Sequence, residues 1–405
     1  MSFAFHAAPP AGEWINDPNG LIYTGGRYRL FAQHSAEGPD FKRIGWARWS
    51  SDDLLHWHSD GPVIASDATG LAYSGSVLSQ GDTLTAFLTR HAPPVQRQYR
   101  LESEDHGLTW RQNEAALGPE GRNVRDPFVF DCAATGDRRM LVAAPCDWSD
   151  WPNEPPSRLQ VWAERAERWE HVGTIGPWAP PGVMWEVPVL LDFGDAQVLV
   201  VSTVDRRDGG AACSVHYWVG RFDGCRFATD DPVDGIRLDH GPDFYATCFN
   251  TTAGWPNHER VMIGWASSWA TARTMRWPEG VHGGPISLPR QVTLANGRLR
   301  QAPLPGAMVR ATTCQWSLGR SARLAFEGQS GGFTLHIGDD GALRAERAGV
   351  RPALAWSNAQ PHFLSLSTDI AIFVDAGLCE IFFLAEGKAM TAYVPGATHL
   401  QGAPR

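Results

Sequence analysis

Hydrophobic and polar residues alternate along most of this chain in short runs. Residues 27–31 (Arg-Tyr-Arg-Leu-Phe) and 160–163 (Gln-Val-Trp-Ala) are typical of these runs. An amphipathic helix places apolar residues about one turn apart, whereas a half-buried strand alternates with a period of two. The pattern therefore predicts a protein built mainly from β-strands.

The strand-like runs belong to a longer repeat. Four segments each contain a strand-like run, then a polar turn, then an aromatic residue that opens the next strand; these aromatic residues are Trp57, Trp110, Trp169 and Phe227. Their spacing of roughly 53–59 residues, with about four short strands in each unit, is typical of propeller blades. Residues 1–300 hold about five such units, so the sequence predicts a five-bladed β-propeller there.

The repeat stops near residue 300, and a different strand pattern follows. Residues 322–328, 332–338, 370–377 and 379–387 alternate as short strands. Turn sequences at 339–341 (Asp-Asp-Gly) and 375–377 (Asp-Ala-Gly) separate strands of this region. This pattern favours a small antiparallel β-sandwich over residues 310–405. The predicted fold class is thus all-β, with two domains.

Composition and charge narrow the possible partners. The formal net charge is −9, and no run of Lys or Arg is long enough to neutralise a row of phosphates, so nucleic acid is not an expected partner. No segment offers about 18 consecutive apolar residues, which argues against a membrane span. Residues 1–6 lack the basic region and the following apolar stretch of a signal peptide, so we expect a cytoplasmic protein. The sequence leaves the oligomeric state open.

The seven cysteines give no sign of a metal or disulfide framework. They are Cys132, Cys146, Cys213, Cys225, Cys248, Cys314 and Cys379, and none is spaced as in a Cys-x-x-Cys motif. Reduced thiols are the simplest expectation. Cys213 with His216 is the nearest approach to a zinc-ligand pair, and we interpret both as ordinary strand residues.

Three segments carry acidic residues in contexts that suit catalysis. Residues 14–20 (Trp-Ile-Asn-Asp-Pro-Asn-Gly) form either a plain turn or a turn that aims Asp17 into a cavity. Arg125, adjacent to Asp126, would favour the ionised form of that aspartate, although Arg-Asp is also a common surface pair. Glu186 lies alone among the apolar residues 184–191, where burial would raise its pKa as a general acid requires, unless the strand end exposes it to water.

These segments, in this order, resemble the motifs of glycoside hydrolase family 32, the β-fructofuranosidases, which include invertases, inulinases and levanases. The resemblance extends to 73–76 (Tyr-Ser-Gly-Ser), to 243–246 (Asp-Phe-Tyr-Ala) and to the C-terminal strands, and so covers nearly the whole chain. It implies a five-bladed propeller with an appended sandwich. It also implies that Asp17 is the nucleophile, that Glu186 is the general acid/base, and that Asp126 hydrogen-bonds the fructose hydroxyls.

The same resemblance implies a set of residues around the fructose: Asn16, Gln33, Trp46, Tyr73, Ser74 and Arg125, with Trp265 as a further candidate. Amide, hydroxyl and guanidinium groups suit a polyol, and a tryptophan can cover the C–H face of a sugar. Two positions depart from the family pattern. Val187 stands where the family often has cysteine, which should keep Glu186 protonated to higher pH. Arg48 stands where a histidine is common, which affects the leaving-group side.

The expected function is retaining hydrolysis of terminal β-D-fructofuranosyl residues of sucrose or short fructo-oligosaccharides, through a covalent fructosyl-enzyme intermediate. A fructosyltransferase that uses a sugar acceptor is an alternative, and a non-catalytic fructan-binding propeller is another. The expected partner is a small carbohydrate. No metal or organic cofactor is implied, because two carboxylates and water suffice for the chemistry.

Overall fold

The structure is a computed structural model, and it describes residues 3–38, 41–113, 116–144, 156–166, 168–176, 178, 182–206, 212–250, 255–256, 259–329, 331–348, 355–358, 362–364 and 367–400. These residues form antiparallel sheets with very little helix, so the all-β class is confirmed. Cys146 lies outside the described residues, and the other six cysteines have free thiols.

Five antiparallel sheets follow one another along the first three quarters of the chain. The first contains β1 (Trp14–Thr24), β2 (Arg27–Ser35), β3 (Gly45–Ser51) and β4 (His58–Ile64). The second contains β5 (Leu71–Gln80), β6 (Thr83–Ala92), β7 (Val95–Ser103), β8 (Arg111–Gln112) and β9 (Leu117–Gly121). The third contains β10 (Arg125–Asp131), β11 (Arg138–Ala144), β12 (Arg158–Arg165) and β13 (Arg168–Ile175).

The fourth sheet contains β14 (Val183–Asp192), β15 (Gln197–Asp205), β16 (Ala212–Phe222), β17 (Phe227–Thr229) and β18 (Ile236–Arg237). The fifth contains β19 (Tyr245–Phe249), β20 (Val261–Trp265), β21 (Arg290–Ala295) and β22 (Arg298–Pro303). One α-helix, α1 (Trp269–Thr274), and a 3-10 turn (Pro278–Gly280) lie between β20 and β21, and a second 3-10 turn (Pro305–Arg310) follows β22. Ser268 caps α1 by accepting a hydrogen bond from the Thr271 N–H.

Two further sheets form the C-terminal part. One orders β23 (Thr312–Ser317), β29 (Ser367–Asp375), β30 (Leu378–Phe383) and β31 (Lys388–Tyr393). The other contains β24 (Ala322–Gly328), β25 (Gly331–Ile337), β26 (Ala342–Ala348), β27 (Trp356–Ser357) and β28 (His362–Phe363). Apolar side chains from both sheets form one buried cluster, which includes Phe326, Phe333, Ile372 and Ile381.

The aromatic residues of the sequence repeat mark equivalent positions in the first four sheets. Trp57 directly precedes β4, Trp110 directly precedes β8, Trp169 is the second residue of β13, and Phe227 opens β17. Each of these strands is the fourth of its sheet. The predicted repeat of about four strands per unit is therefore confirmed for these sheets.

The first strands of the five sheets contact one another in a closed cycle, from β1 to β5, β10, β14, β19 and back to β1. Buried apolar clusters join neighbouring sheets; one of them packs Phe31 and Trp46 of the first sheet against Leu88 of the second. Another packs Ile15 of β1 against Ile263 of the fifth sheet. Because the cycle closes, the first strands surround a common axis, and residues far apart in sequence meet there.

Buried ion pairs connect this ring to the C-terminal sheets. Arg290 on β21 donates to Asp239 at 2.8 Å and to Glu380 on β30 at 2.6 Å. His6 lies 2.7 Å from Asp375 and 3.0 Å from Glu380. All five side chains are buried, so each charge depends on its partners, and breaking one pair would leave an uncompensated charge.

Candidate active site

Asp17, Asp126 and Glu186 line one cavity of about 400 Å³. Asp17 is on β1, Asp126 on β10 and Glu186 on β14, which are first strands of the first, third and fourth sheets. The closed cycle of first strands therefore brings three carboxyl groups that are remote in sequence to one pocket.

An irregularity in strand pairing lies beside each carboxylate. Register shifts fall between Ile15 and Gly20 in β1 and between Arg125 and Phe128 in β10. In β14 the shift follows Glu186. A bulge bends a strand and re-aims its side chains, which is how these strands present polar groups to the cavity. Residues 14–20 are accordingly part of a strand, and the interpretation as a plain turn was wrong.

Two residues at these bulges adopt left-handed backbone conformations. Asp126 has φ of 61° and Val187 has φ of 47°. For a β-branched residue such as Val187 this conformation costs on the order of 1–3 kcal/mol. The Val187 N–H donates to Oδ2 of Asp126 at 3.0 Å, so the strained peptide positions the Asp126 carboxyl.

Asp17 is held on both carboxyl oxygens. Asn16 Nδ2 donates to Oδ1 at 3.0 Å, and Ser74 Oγ donates to Oδ2 at 2.7 Å. Asn16 also donates to Gln33 Oε1 and accepts from Trp14 Nε1 at 2.9 Å. Burial, together with the charge of Glu186, raises the pKa of Asp17 to about 6, although the hydrogen bonds from Ser74 and Asn16 lower it. The carboxylate is ionised above that pH and fixed in orientation.

Glu186 is also held on both oxygens, by groups from two other sheets. Arg125 Nε donates to Oε1 at 3.0 Å, and Tyr245 OH donates to Oε2 at 2.6 Å. Arg125 is further fixed by Asn123 Oδ1 and by Met184 Sδ at 3.1 Å. The neighbours of Glu186 along the strand are apolar and mostly buried, as the sequence predicts, whereas its carboxyl group pairs with a guanidinium and a phenol from other sheets.

The Asp126 carboxyl group is subject to opposing effects on its pKa. Burial raises its pKa to about 7; Arg125 opposes this rise, and the charges of Glu186 and Asp17 add to it. Arg125 thus favours the ionised form of Asp126, as the sequence predicts, but burial has the larger effect on the pKa. The guanidinium hydrogen bonds instead go to Glu186 and its neighbours.

The other predicted residues divide into two groups. Gln33, Tyr73, Ser74 and Arg125 line the same cavity as the three carboxylates. Asn16 is fully buried behind Asp17, where it orients that carboxylate.

Trp46 and Trp265 do not reach the cavity wall. Trp46 is fully buried between the first two sheets, with Nε1 donating to the Tyr73 carbonyl at 3.0 Å. Trp265 is fully buried against Trp14 and Trp269, with ring centroids 6.4 Å and 5.2 Å away. Both therefore support the wall from behind, and the expectation that they cover the sugar requires this correction.

Sequence reasoning missed several cavity residues: Phe41, His91, Gln96, Arg122, Asn123, Met184, Arg206, Trp269 and Arg273. Phe41 and Trp269 meet edge to face at 5.4 Å, and Phe41 lies 5.7 Å from Tyr73. These rings supply the apolar surface that was assigned to Trp46 and Trp265. The segment 264–269 (Gly-Trp-Ala-Ser-Ser-Trp) offered two tryptophans, and the second one faces the cavity.

Arg48 also lies away from the cavity lining. It is buried on β3, where Nε donates to Asp60 at 2.9 Å and a terminal nitrogen donates to the His106 carbonyl at 2.7 Å. Its charge is compensated within the first two sheets. Arg48, which stands where the family often has histidine, therefore does not place a positive charge beside the leaving group.

Within the described ranges, no cluster of three or more His, Cys, Asp or Glu side chains has a metal-binding arrangement. No α-helix found in that part of the chain is both long and apolar enough to span a bilayer.

The fold and the carboxylate cavity define the class of protein as a glycoside hydrolase. Residues 6–303 match the N-terminal domain of glycosyl hydrolases family 32, and the chain belongs to this family. The extracellular exo-inulinase of Aspergillus awamori is 30% identical over 344 residues, which is 70% of this chain and 60% of that protein. The sucrose-6-phosphate hydrolase of Escherichia coli is 28% identical over 74% of this chain and 64% of its own length.

Solved structures share the fold over nearly the whole chain. The exo-inulinase of Aspergillus awamori superposes with a TM-score of 0.78 at 21% identity, covering 99% of this chain and 95% of that one. The fructofuranosidase of Schwanniomyces occidentalis complexed with fructose gives a TM-score of 0.80 at 19% identity, covering 99% and 93%. By sequence, the chain spans about 60% of the length of the exo-inulinase it matches.

Proposed function

We propose that this protein hydrolyses terminal β-D-fructofuranosyl bonds of sucrose or short fructo-oligosaccharides with retention of configuration. Membership of family 32 supports the reaction class. The convergence of Asp17, Asp126 and Glu186 on one cavity is the observation that carries the proposal. A retaining glycosidase needs a nucleophilic carboxylate and an acid/base carboxyl group flanking the scissile bond.

Asp17 acts as the nucleophile in this proposal. Ser74 and Asn16 hold its two oxygens, which fixes the direction of attack on the anomeric carbon. The carboxylate must be ionised to attack, and a pKa of about 6 leaves it charged at neutral pH. The attack forms a C–O bond to Asp17 as the bond to the leaving-group oxygen breaks, giving a fructosyl ester.

Glu186 protonates the departing oxygen and then takes a proton from the water that hydrolyses the ester. The hydrogen bonds from Arg125 and Tyr245 fix its carboxyl group relative to Asp17. Asp126 hydrogen-bonds fructose hydroxyls. With a pKa of about 7 it can accept or donate such hydrogen bonds near neutral pH.

The test is incubation of the protein with sucrose, 1-kestose, inulin and levan, with chromatography of the products. Free fructose from sucrose and 1-kestose supports the proposal, and the relative rates identify the preferred chain length. Asp17→Ala should abolish release of fructose while the circular dichroism spectrum is unchanged. Binding without turnover by the unmodified protein would instead support the fructan-binding alternative.

Retention has its own test. In the presence of methanol, a retaining enzyme transfers fructose to form methyl β-D-fructofuranoside, whereas single inversion gives the α-anomer. NMR of the methyl glycoside distinguishes the two. The α-anomer as the first product would refute the covalent intermediate on Asp17.

Transfer to a sugar acceptor uses the same intermediate and is the alternative reaction. Accumulation of trisaccharide at high sucrose concentration, in excess of free fructose, would identify a fructosyltransferase. Hydrolysis is favoured here because the sequence relatives include the exo-inulinase and the sucrose-6-phosphate hydrolase.

A phosphorylated disaccharide is a second candidate substrate, because several arginines line the cavity. Arg122, Arg206 and Arg273 line the cavity in addition to Arg125. Guanidinium groups bind phosphate with charge-assisted hydrogen bonds. Among the relatives is the sucrose-6-phosphate hydrolase of Escherichia coli. A higher kcat/KM for sucrose 6-phosphate than for sucrose, lost in Arg122→Gln or Arg273→Gln, would identify this substrate.

We also infer that the five sheets are the blades of a five-bladed β-propeller over residues 1–300, and that residues 310–405 form a β-sandwich domain. The closed cycle of first strands supports the propeller. The shared apolar cluster of the two C-terminal sheets supports the sandwich. Location in the cytoplasm stays a prediction, and the relatives include extracellular exo-inulinases.

A further inference from the structure

We propose that the C-terminal sheets position part of the cavity wall, and that Arg347 on β26 is the residue through which they do so. The inference rests on the proposed function, because it concerns binding of the fructoside at the same cavity. The wall in question is helix α1, whose Trp269 and Arg273 side chains line the cavity. Arg347 is not among the described residues of that lining, so it would act on the site only through α1.

A buried ion pair joins Arg347 to Asp243, which lies two residues before β19. A terminal nitrogen of Arg347 donates to Oδ2 of Asp243. The N–H of Tyr393 on β31 donates to the same oxygen at 2.8 Å. Because β26 and β31 belong to different C-terminal sheets, Asp243 receives one hydrogen bond from each of them.

The other carboxyl oxygen of Asp243 holds the start of α1. Thr271 Oγ1 donates to Oδ1 at 2.6 Å, and the capping residue Ser268 donates to it through Oγ at 3.2 Å. The same Ser268 oxygen accepts the Thr271 N–H that begins the helix. One buried carboxylate thus ties α1 to the C-terminal sheets, and the guanidinium of Arg347 compensates its charge.

A second contact holds the chain where it leaves α1. Tyr393 OH donates to the Arg276 carbonyl at 2.8 Å. Its ring stacks on Trp277, with centroids 3.7 Å apart and an interplanar angle of 24°. Both ends of α1 are therefore attached to the C-terminal sheets, so the position of the helix depends on them.

Trp269 is the residue through which this attachment reaches the cavity. Its ring meets Phe41, another lining residue, edge to face at 5.4 Å, and the guanidinium of Arg273 lies over it, 5.2 Å from the centroid. A shift of α1 would move this surface. Asp17 and Glu186 lie on β1 and β14 and are held by other groups. Loss of Arg347 should therefore weaken substrate binding and leave the chemical step intact.

The test measures kcat and KM for sucrose in Arg347→Met, which keeps an apolar stem and removes the guanidinium. We expect KM to rise about 10-fold and kcat to change less than about twofold, because a displaced wall weakens binding. Arg347→Lys, which keeps the charge, should recover part of the affinity. The matched control is Arg300→Met, which should leave KM unchanged, since Arg300 joins β22 to the Leu384 carbonyl after β30.

A double-mutant cycle shows whether Arg347 acts through α1. Trp269→Ala alone should raise KM. Adding Arg347→Met to Trp269→Ala should change KM by less than about twofold, because the surface that Arg347 positions is already lost.

Tyr393→Phe provides the same test if Arg347→Met does not fold after Asp243 loses its compensating charge. This variant removes only the hydrogen bond to the Arg276 carbonyl and keeps the ring stacked on Trp277. KM should rise about threefold in the unmodified background and stay constant in the Trp269→Ala background. Circular dichroism verifies that each variant is folded.

Additive effects on KM in the double-mutant cycle, a fall in kcat at constant KM, or an equal rise of KM in Arg300→Met would overturn the positioning role. Each of these outcomes leaves the proposed function standing. If the unmodified protein releases no fructose from sucrose, the proposed function fails, and this assignment fails with it.

Discussion

Tyr245 donates a 2.6 Å hydrogen bond to Oε2 of Glu186, and the two residues come from β19 and β14 of adjacent sheets. The phenol is buried, and burial, together with the charge of Glu186, raises its pKa well above the ordinary value, so it remains a donor throughout the working range. The fifth sheet thus supplies one of the two groups that hold the carboxyl group of Glu186. This relationship predicts a positioning role for Tyr245.

Tyr245→Phe should reduce kcat about 10-fold or more, with little change in KM. The phenyl ring retains the packing, but one oxygen of Glu186 loses a hydrogen bond. Hydrogen bonds to charged groups are worth on the order of 1.5–3 kcal/mol. Steady-state kinetics on sucrose, with circular dichroism to verify folding, measures the effect. Tyr28→Phe, at a half-buried site on β2, is the control. A rise in KM at constant kcat would contradict the role.

The acidic limb of the pH–rate profile should report Asp17. Because its pKa is raised to about 6, kcat/KM should fall as the pH drops below about 6 and the nucleophile becomes protonated. Ser74 lowers this pKa through its hydrogen bond, so Ser74→Ala should move the limb to higher pH. Ser76→Ala is a matched control, since Ser76 donates to the Pro127 carbonyl instead. An unmoved limb in Ser74→Ala would refute the assignment.

The ionised carboxylate of Asp17 should also lower the stability of the fold at neutral pH. A carboxyl group whose pKa rises from 3.8 in the unfolded chain to about 6 in the fold contributes stability below pH 4, and that stability is lost as the pH rises through 6. Asp17→Asn removes this dependence, so its advantage over the unmodified protein should grow between pH 4 and pH 7, by on the order of 2 kcal/mol. Thermal unfolding across that range measures the difference.

Asp105→Asn is the control of opposite sign. Burial alone would raise the pKa of Asp105, but hydrogen bonds from the Thr109 hydroxyl and from the Thr109 and Leu108 N–H groups together lower it to about 2. Its stabilising effect is present above pH 4, so this variant should lose stability relative to the unmodified protein as the pH rises. Parallel trends for Asp17→Asn and Asp105→Asn would contradict the argument.

The contact between the ring and the C-terminal sheets should weaken in alkali. Burial alone would lower the pKa of His6, but hydrogen bonds to Asp375 and Glu380, together with their charges, raise it from 6.5 to about 9. The stability contributed by the protonated ring is full below pH 6.5 and is lost as the pH rises through 9. The difference in melting temperature between the unmodified protein and His6→Gln should therefore shrink from pH 7 to pH 10. A constant difference would show that His6 acts through packing alone.

The sequence predicted the strands, the repeat and the segments that supply the three carboxylates, because these follow from local alternation and from short motifs. It could not predict how those groups pair. Arg125 and Asp126 are adjacent in sequence, yet neighbouring residues of a strand point in different directions, and the bulge that follows Arg125 separates them further. The guanidinium of Arg125 therefore pairs with Glu186, which lies in the next sheet.

The tryptophans illustrate the same limit. Trp265 and Trp269 lie four positions apart, and one is fully buried while the other lines the cavity. The change from β20 to helix α1 between them decides which ring faces inward. Tyr245 lies in the segment 243–246 that resembles a family motif, but its contact with Glu186 joins two sheets and could not be predicted from the sequence.

The closure of the ring by β1 and the fifth sheet has a consequence for synthesis of the chain. During synthesis β1 leaves the ribosome before the strands β19 and β20 that pack against it, because those strands follow more than two hundred residues later. Until they emerge, the buried face of β1 has no permanent neighbour on that side. A nascent chain stalled before residue 245 should therefore bind chaperones through β1, and release should coincide with emergence of the fifth sheet.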